Sequence, residues 1–159
     1  MSVNRYKPHL RVLPEDDANK DIATGFYLGL PPNPPMQVLR VARGWSNVLG
    51  SFQADYIPYM GKYPNCYMVL LLDFDARKNW LDRSQSAISP HLTERVFILG
   101  ALTKPEKLRS AGLGSYETIG RALARDCLEG TREVLGHDLL RHNASEFDRL
   151  HSRVWPFLA

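Results

Sequence analysis

The feature that most constrains the fold is the run Tyr67-Met-Val-Leu-Leu-Leu-Asp-Phe-Asp75, an uninterrupted apolar segment closed by two aspartates. Its length and composition predict a buried strand. Side chains alternate across a strand, so Asp73 and Asp75 share one face if the extension continues through Phe74. Two anions held that close demand a cation or a proton. The competing reading is local: aspartates after a buried strand also serve as turn formers.

The surrounding pattern places that strand in a sheet. His9 to Leu13 reads as a short strand and Glu15 to Leu30 as a helix, with Ala18, Ile22, Ala23 and Phe26 on a helical period. Pro31-Pro-Asn-Pro-Pro35 must be an extended loop, because prolines lack a donor and fix their torsions. Gln37 to Val41 reads as a second strand, Trp45 to about Tyr59 as a helix, and Tyr63-Pro-Asn65 as a turn into the central strand ending at Asp73. Residues 76 to 94 read as polar and irregular, with a weak helical stretch near Trp80 to Ser84. Arg95 to Leu99 has strand character. A helical turn is predicted over Lys104 to Arg109, with helices over Ser115 to Glu129 and over Asn143 to Val154, the latter capped by Asn143. This order predicts an α/β fold: a mainly parallel four-stranded sheet with helices on both faces and a helical C-terminal extension. The whole chain, 1–159, reads as a single domain, with a core over about 9–105 and the extension over about 106–159.

Charged residues at 23% and hydrophobic residues at 44% are ordinary globular values. Nothing in them suggests disorder, collagen or a coiled coil. The longest apolar run is too short to span a membrane, and the amino terminus lacks a secretory pattern, so a soluble, cytoplasmic protein without membrane partners is expected. Cys66 and Cys127 lack metal-like spacing and read as buried free thiols. A formal net charge of +3 permits a nucleic-acid partner without requiring one.

In a parallel sheet the ends of the first and third strands meet at one edge. That brings Leu13-Pro-Glu-Asp-Asp17 beside Asp73-Phe-Asp75. Hard divalent cations take oxygen ligands, commonly one or two carboxylates completed by water and phosphate. Glu15, Asp73 and Asp75 supply such a set, with Asp17 in reserve. The simpler account of Asp16 and Asp17 is that acidic residues suit the first turn of a helix. On these residues the chain resembles the Toprim-like nucleases, including the overcoming-lysogenization-defect type and related small Toprim-like proteins. That family carries a glutamate after its first strand and an Asp-x-Asp after its third, matched by Glu15 and by Asp73 and Asp75. The resemblance covers roughly residues 9 to 105. It implies magnesium or manganese held by the aspartates, Glu15 as a metal ligand or general acid and base, and DNA or RNA phosphodiesters as substrate. One departure is that the family glutamate is commonly followed by glycine, whereas Glu15 precedes Asp16.

Two other readings fit parts of the chain. A receiver-like phosphoacceptor domain would use Asp16, Asp17, Asp73 as acceptor and Lys104-Pro105, but too few residues separate Asp73 from Lys104 for its usual strands and helices. A non-catalytic assembly module, for a partner ATPase or a second copy of the chain, would use tryptophans such as Trp45, Trp80 and Trp155 as anchors. His137 and His142 are five residues apart, wrong for a helical metal pair, and read as structural or surface groups. Arg132, Arg141 and His142 could hold phosphate if the C-terminal helices fold over the sheet edge. No dinucleotide or phosphate-loop glycine motif is present.

Overall fold

The structure, a computed structural model, describes residues 3–74, 78–101 and 105–159. Among them β1 (His9–Pro14), β2 (Met36–Val38), β3 (Cys66–Leu71) and β4 (Val96–Leu99) form one sheet in the order β2-β1-β3-β4. Every neighbouring pair is parallel. Parallel strands require crossovers, which here are helical: α1 (Asp17–Gly29) leads to β2, α2 (Trp45–Ser51) and α3 (Ile57–Lys62) lead to β3, and α4 (Lys78–Ser86) leads toward β4. After β4 come α5 (Pro105–Ser110), α6 (Tyr116–Glu129) and α7 (Ala144–Leu158). The predicted α/β class, with a parallel four-stranded sheet and a C-terminal helix, is the observed one.

The alternation of side chains builds two cores. Leu13, Met68, Leu70, Val96 and Ile98 face Val48, Phe52 and Met60 on one side of the sheet. Leu10, Val12, Val69, Phe97 and Leu99 face Ala23, Ala124, Leu150 and Val154 on the other. Strands buried on both faces have few positions left for polar residues, which explains the unbroken run in β3. The second layer depends on glycine. A Cβ at Gly25 would stand 2.1 Å from the Glu117 carbonyl oxygen, and one at Gly120 would stand 2.0 Å from that of Ile22. Backbone therefore meets backbone between α1 and α6, and any side chain there would push the helices apart.

The outer edge of β4 is paired with side chains instead of another strand. Glu146 accepts from the Ile98 N–H at 2.9 Å, and the Asn143 amide both accepts from Gly100 N–H at 3.1 Å and donates to Gly100 O at 2.9 Å. Arg149 donates to the carbonyls of Val96 and Thr93. An exposed row of strand donors and acceptors is thus satisfied within the chain. The other edge strand, β2, is only three residues long and follows the proline loop.

Several boundaries differ from expectation for identifiable reasons. The first helix begins at Asp17, because Asp16 takes the cap position and accepts from Asn19 N–H at 3.0 Å. Glu15 is thereby left on the extension of β1. The second strand ends at Val38, short of Val41. The helix from Trp45 runs on to Lys62, with a widened π turn over Phe52–Tyr56 just before Pro58, which cannot donate a helical hydrogen bond. The segment read as irregular contains α4 and a 3-10 turn over Pro90–Arg95. Asn143 stands at the start of α7 but does not cap it through its side chain, which is committed to Gly100.

Candidate functional site

From β1 the chain crosses through α1 to β2 on one side, and from β2 it crosses back to β3 on the other. The carboxyl ends of β1 and β3 therefore flank a topological switch point, the place where open α/β sheets leave a crevice. Pro14 is in register with Leu71, so the residues that follow emerge side by side. Pairing continues past the strand ends: Glu15 N–H donates to Leu71 O at 2.9 Å, Leu72 N–H to Leu99 O at 2.8 Å and Phe74 N–H to Ala101 O at 3.1 Å. This keeps Asp73 on an extended backbone.

Glu15 and Asp73 are in direct contact. The Glu15 Oε2 accepts from the Asp73 backbone N–H at 2.6 Å. The Asp73 Oδ1 accepts from the Asn19 amide at 3.2 Å, and the carboxyl of Asp16 lies close enough to act on that of Asp73. Burial first, then the charges of Asp16 and Glu15, push the Asp73 carboxyl up to about 8. Asn19 opposes this but does not offset it.

The loop after β2 closes over the same point. Arg43 and Gly44 both donate N–H to Glu15 O, at 2.8 and 3.3 Å. Arg43 does so in the left-handed region, at φ 63°, a conformation that L side chains rarely adopt. Its guanidinium lies 3.9 Å from Asp17, and both side chains are mostly exposed. Asp17, the reserve ligand, therefore points away from Asp73 toward solvent and Arg43. Asp16 takes its place beside Asp73. Asp75 and Lys104 lie outside the described residues, as does the side chain of Trp80. Among the described residues no three His, Cys, Asp or Glu side chains are arranged to grip a metal by themselves.

Two groups here were missed in the sequence, Asn19 and Arg43, while Asp16 was read as a helix first-turn acid or a receiver residue and left out of the metal set. Asn19 carried a signal, since it sits four residues before Ala23 and seven before Phe26, on the apolar stripe of α1, and is 1% exposed. A polar residue on such a stripe has a partner to find. Arg43 carried none, because its importance lies in its backbone conformation.

The remaining candidates do not converge on the site. Arg132 pairs with Asp148 at 2.7 Å and Arg141 with Asp138 at 3.3 Å, both exposed ion pairs. His137 Nδ1 accepts from Leu139 N–H, while His142 packs edge-on against Phe74 and is held below its ordinary value by burial. Trp45 donates to Ser84 Oγ at 3.1 Å, and Trp155 stacks on His151. Cys66 and Cys127 are free, and burial pushes both thiols up to about 12. No helix among the described residues is long and apolar enough to cross a membrane. Comparison with protein-family models, with curated proteins and with solved structures finds no match.

Proposed function

We propose that the carboxyl ends of β1 and β3 form a magnesium- or manganese-dependent site acting on nucleic-acid phosphodiesters, in the manner of the Toprim-like nucleases. The observation that carries this reading is the gathering of Glu15, Asp16 and Asp73 at the switch point, where Glu15 is bonded directly to the Asp73 backbone. The donors are all oxygens, the set that suits a hard divalent cation with water and phosphate completing its shell. Asp73 is the central ligand and Asp16 its neighbour. Asp75 is retained on sequence grounds. A cation bound there would supply positive charge to a phosphate in its transition state.

The chain's own residues have separate tasks. Glu15 fixes the backbone of Asp73 with one oxygen, Asn19 orients the Asp73 carboxyl, and Asp73 would hold the cation in its ionised form. Arg43 stands beside the site, where among the described residues its guanidinium pairs with the exposed Asp17, an interaction weak enough to be exchanged for a phosphate oxygen.

The test is calorimetric titration with magnesium and with manganese, on wild type and on Asp73→Asn and Asp75→Asn. A tenfold or larger loss of affinity in Asp73→Asn is expected, together with metal-dependent cleavage of DNA or RNA by wild type alone. Unchanged affinity in Asp73→Asn defeats the reading. Metal binding without cleavage of any nucleic acid reduces the site to part of an assembly module, and an acyl-phosphate on Asp73 after treatment with acetyl phosphate would favour the receiver reading.

A further inference from the structure

Two segments that meet toward the end of the sheet opposite Glu15 and Asp73 carry an excess of positive charge. Contacts of Arg5 with Tyr63, of Asn65 with Tyr6 and of Arg11 with Tyr56 and Tyr59 bring segment 3–13 beside segment 52–67, and together these segments carry Arg5, Lys7, Arg11 and Lys62 against a single carboxylate, Asp55. Four cations less one anion is the whole formal net charge of +3, so the rest of the chain is balanced. Five of the seven tyrosines, Tyr6, Tyr56, Tyr59, Tyr63 and Tyr67, lie in the same two segments.

Rings and cations interleave there. The Arg5 guanidinium lies 5.7 Å from the Tyr63 ring centre and donates to its hydroxyl at 3.4 Å, and the Lys62 ammonium lies 5.5 Å from the same ring. Arg11 stacks on Tyr59 at 4.2 Å, and its buried Nε has no hydrogen-bond partner among the described residues. Arg95 is committed to the carbonyls of Met60, Tyr63, Pro64 and Cys66. Tyr6 stands edge-on to Tyr63 with 78% of its surface exposed. It is held there by its own backbone: Tyr6 N–H donates to Asn4 Oδ1, and Asn65 donates to Tyr6 O at 2.9 Å.

A fixed, solvent-facing ring among cations meets both requirements of a single strand, a platform for an unstacked base and neutralisation of its phosphates. We propose that this end of the sheet binds single-stranded nucleic acid, with Tyr6 stacking on a base and Arg5, Lys7 and Lys62 contacting phosphates. A duplex presents no free base face to Tyr6. An anionic membrane would favour protruding aliphatic side chains, and the exposed leucines, Leu28 and Leu128, belong to α1 and α6. β1 is six residues long, which separates this surface from the acidic site by roughly 20 Å. Binding here does not depend on divalent metal.

The experiment is fluorescence anisotropy in EDTA with a labelled oligothymidylate and a duplex of the same length, at salt concentrations from about 50 to 200 mM. Wild type is expected to prefer the single strand, with log K falling against log salt at a slope of about −2 for three phosphates. Tyr6→Ala should weaken binding about tenfold and Tyr6→Phe should retain it. Arg5→Glu with Lys7→Glu should weaken binding further and reduce the slope to about −1. All these side chains are exposed, so circular dichroism and Tm should match wild type. Absence of binding, preference for duplex, an unchanged Tyr6→Ala, or equal binding of polyglutamate or phosphatidylserine vesicles overturns the proposal. Since EDTA silences the metal site, these outcomes are independent of phosphodiester cleavage.

Discussion

Asp126 and Asp73 are both aspartates drawn in from solvent, yet they end in opposite states. At the end of α6, Asp126 accepts from the Thr131 hydroxyl at 2.7 Å and from the N–H groups of Glu133, Val134 and Leu135 at 3.0, 2.9 and 3.0 Å. Burial pushes its carboxyl up, but these four donors outweigh burial and hold it below the usual range. The left-handed position beside it, at φ 69°, is filled by Gly130 without strain. At the switch point, Asp73 faces two other acids with Asn19 as its neutral donor, and the left-handed position, at φ 63°, is filled by Arg43. One region obeys the rules of polar satisfaction and backbone choice, and the other departs from both. Departures gathered at one place are characteristic of sites whose demands are set by a ligand.

The contrast is most directly broken at Asp126. Asp126→Ala leaves three N–H groups and a hydroxyl without their acceptor and should cost roughly 3–5 kcal/mol, read from urea denaturation. Because the folded Asp126 carboxyl lies below its unfolded value of about 3.9, its contribution is complete above that pH and is lost as pH falls through the folded value. Asp126→Asn should therefore flatten the acid limb of the stability curve.

Asp73→Asn should act in the opposite direction. With the folded carboxyl raised to about 8, the folded state binds the proton more tightly than the unfolded one, so stability in EDTA should fall as pH rises from about 4 to about 8 and then level off. Partial exposure of the site discounts the effect, and Asp73→Asn is expected to gain about 1–2 kcal/mol at pH 9. A destabilised Asp73→Asn would remove the distinction between the two aspartates. A smaller change is expected for Glu15→Gln, which keeps an acceptor for the Asp73 N–H but removes a charge. The Asp73 carboxyl, followed by carbon NMR, should move down while remaining above the ordinary range, since burial is the larger cause. Smallest of all, Arg43→Gly should gain about 0.5–1 kcal/mol by relieving the left-handed backbone, as the exposed pair with Asp17 contributes little. A loss of cleavage in the same variant would attach a cost in activity to that gain.

What could be read from the chain follows the same division. Strand β3, the helix over Tyr116–Glu129 and the parallel order were legible because burial on one or both faces imposes a period on apolar residues. The adjacency of Glu15 and Asp73 followed from that order, since parallel neighbours end at one edge. The choice among Glu15, Asp16 and Asp17 was not legible. It depends on where the helix cap falls, and a single residue's shift decides which carboxylate faces Asp73 and which faces Arg43. Asn143 takes the expected cap position of α7, but its side chain does not make the cap bond, for a related reason. Its side chain had a second set of donors and acceptors available on Gly100, forty-three residues away in sequence, and no local pattern reports such a partner.

The covering of β4 by Asn143, Glu146 and Arg149 also bears on how the chain is made. β4 ends at Leu99 and α7 begins at Ala144, so translation must deliver α5 and α6 before the helix that covers the strand exists. For that interval the nascent sheet carries an open side able to accept another chain's strand, on a polysome where identical chains lie close together. Until α7 emerges only the β3 side of β4 is paired, so slow synthesis beyond residue 100 should raise the yield of aggregates without changing the stability of the finished protein.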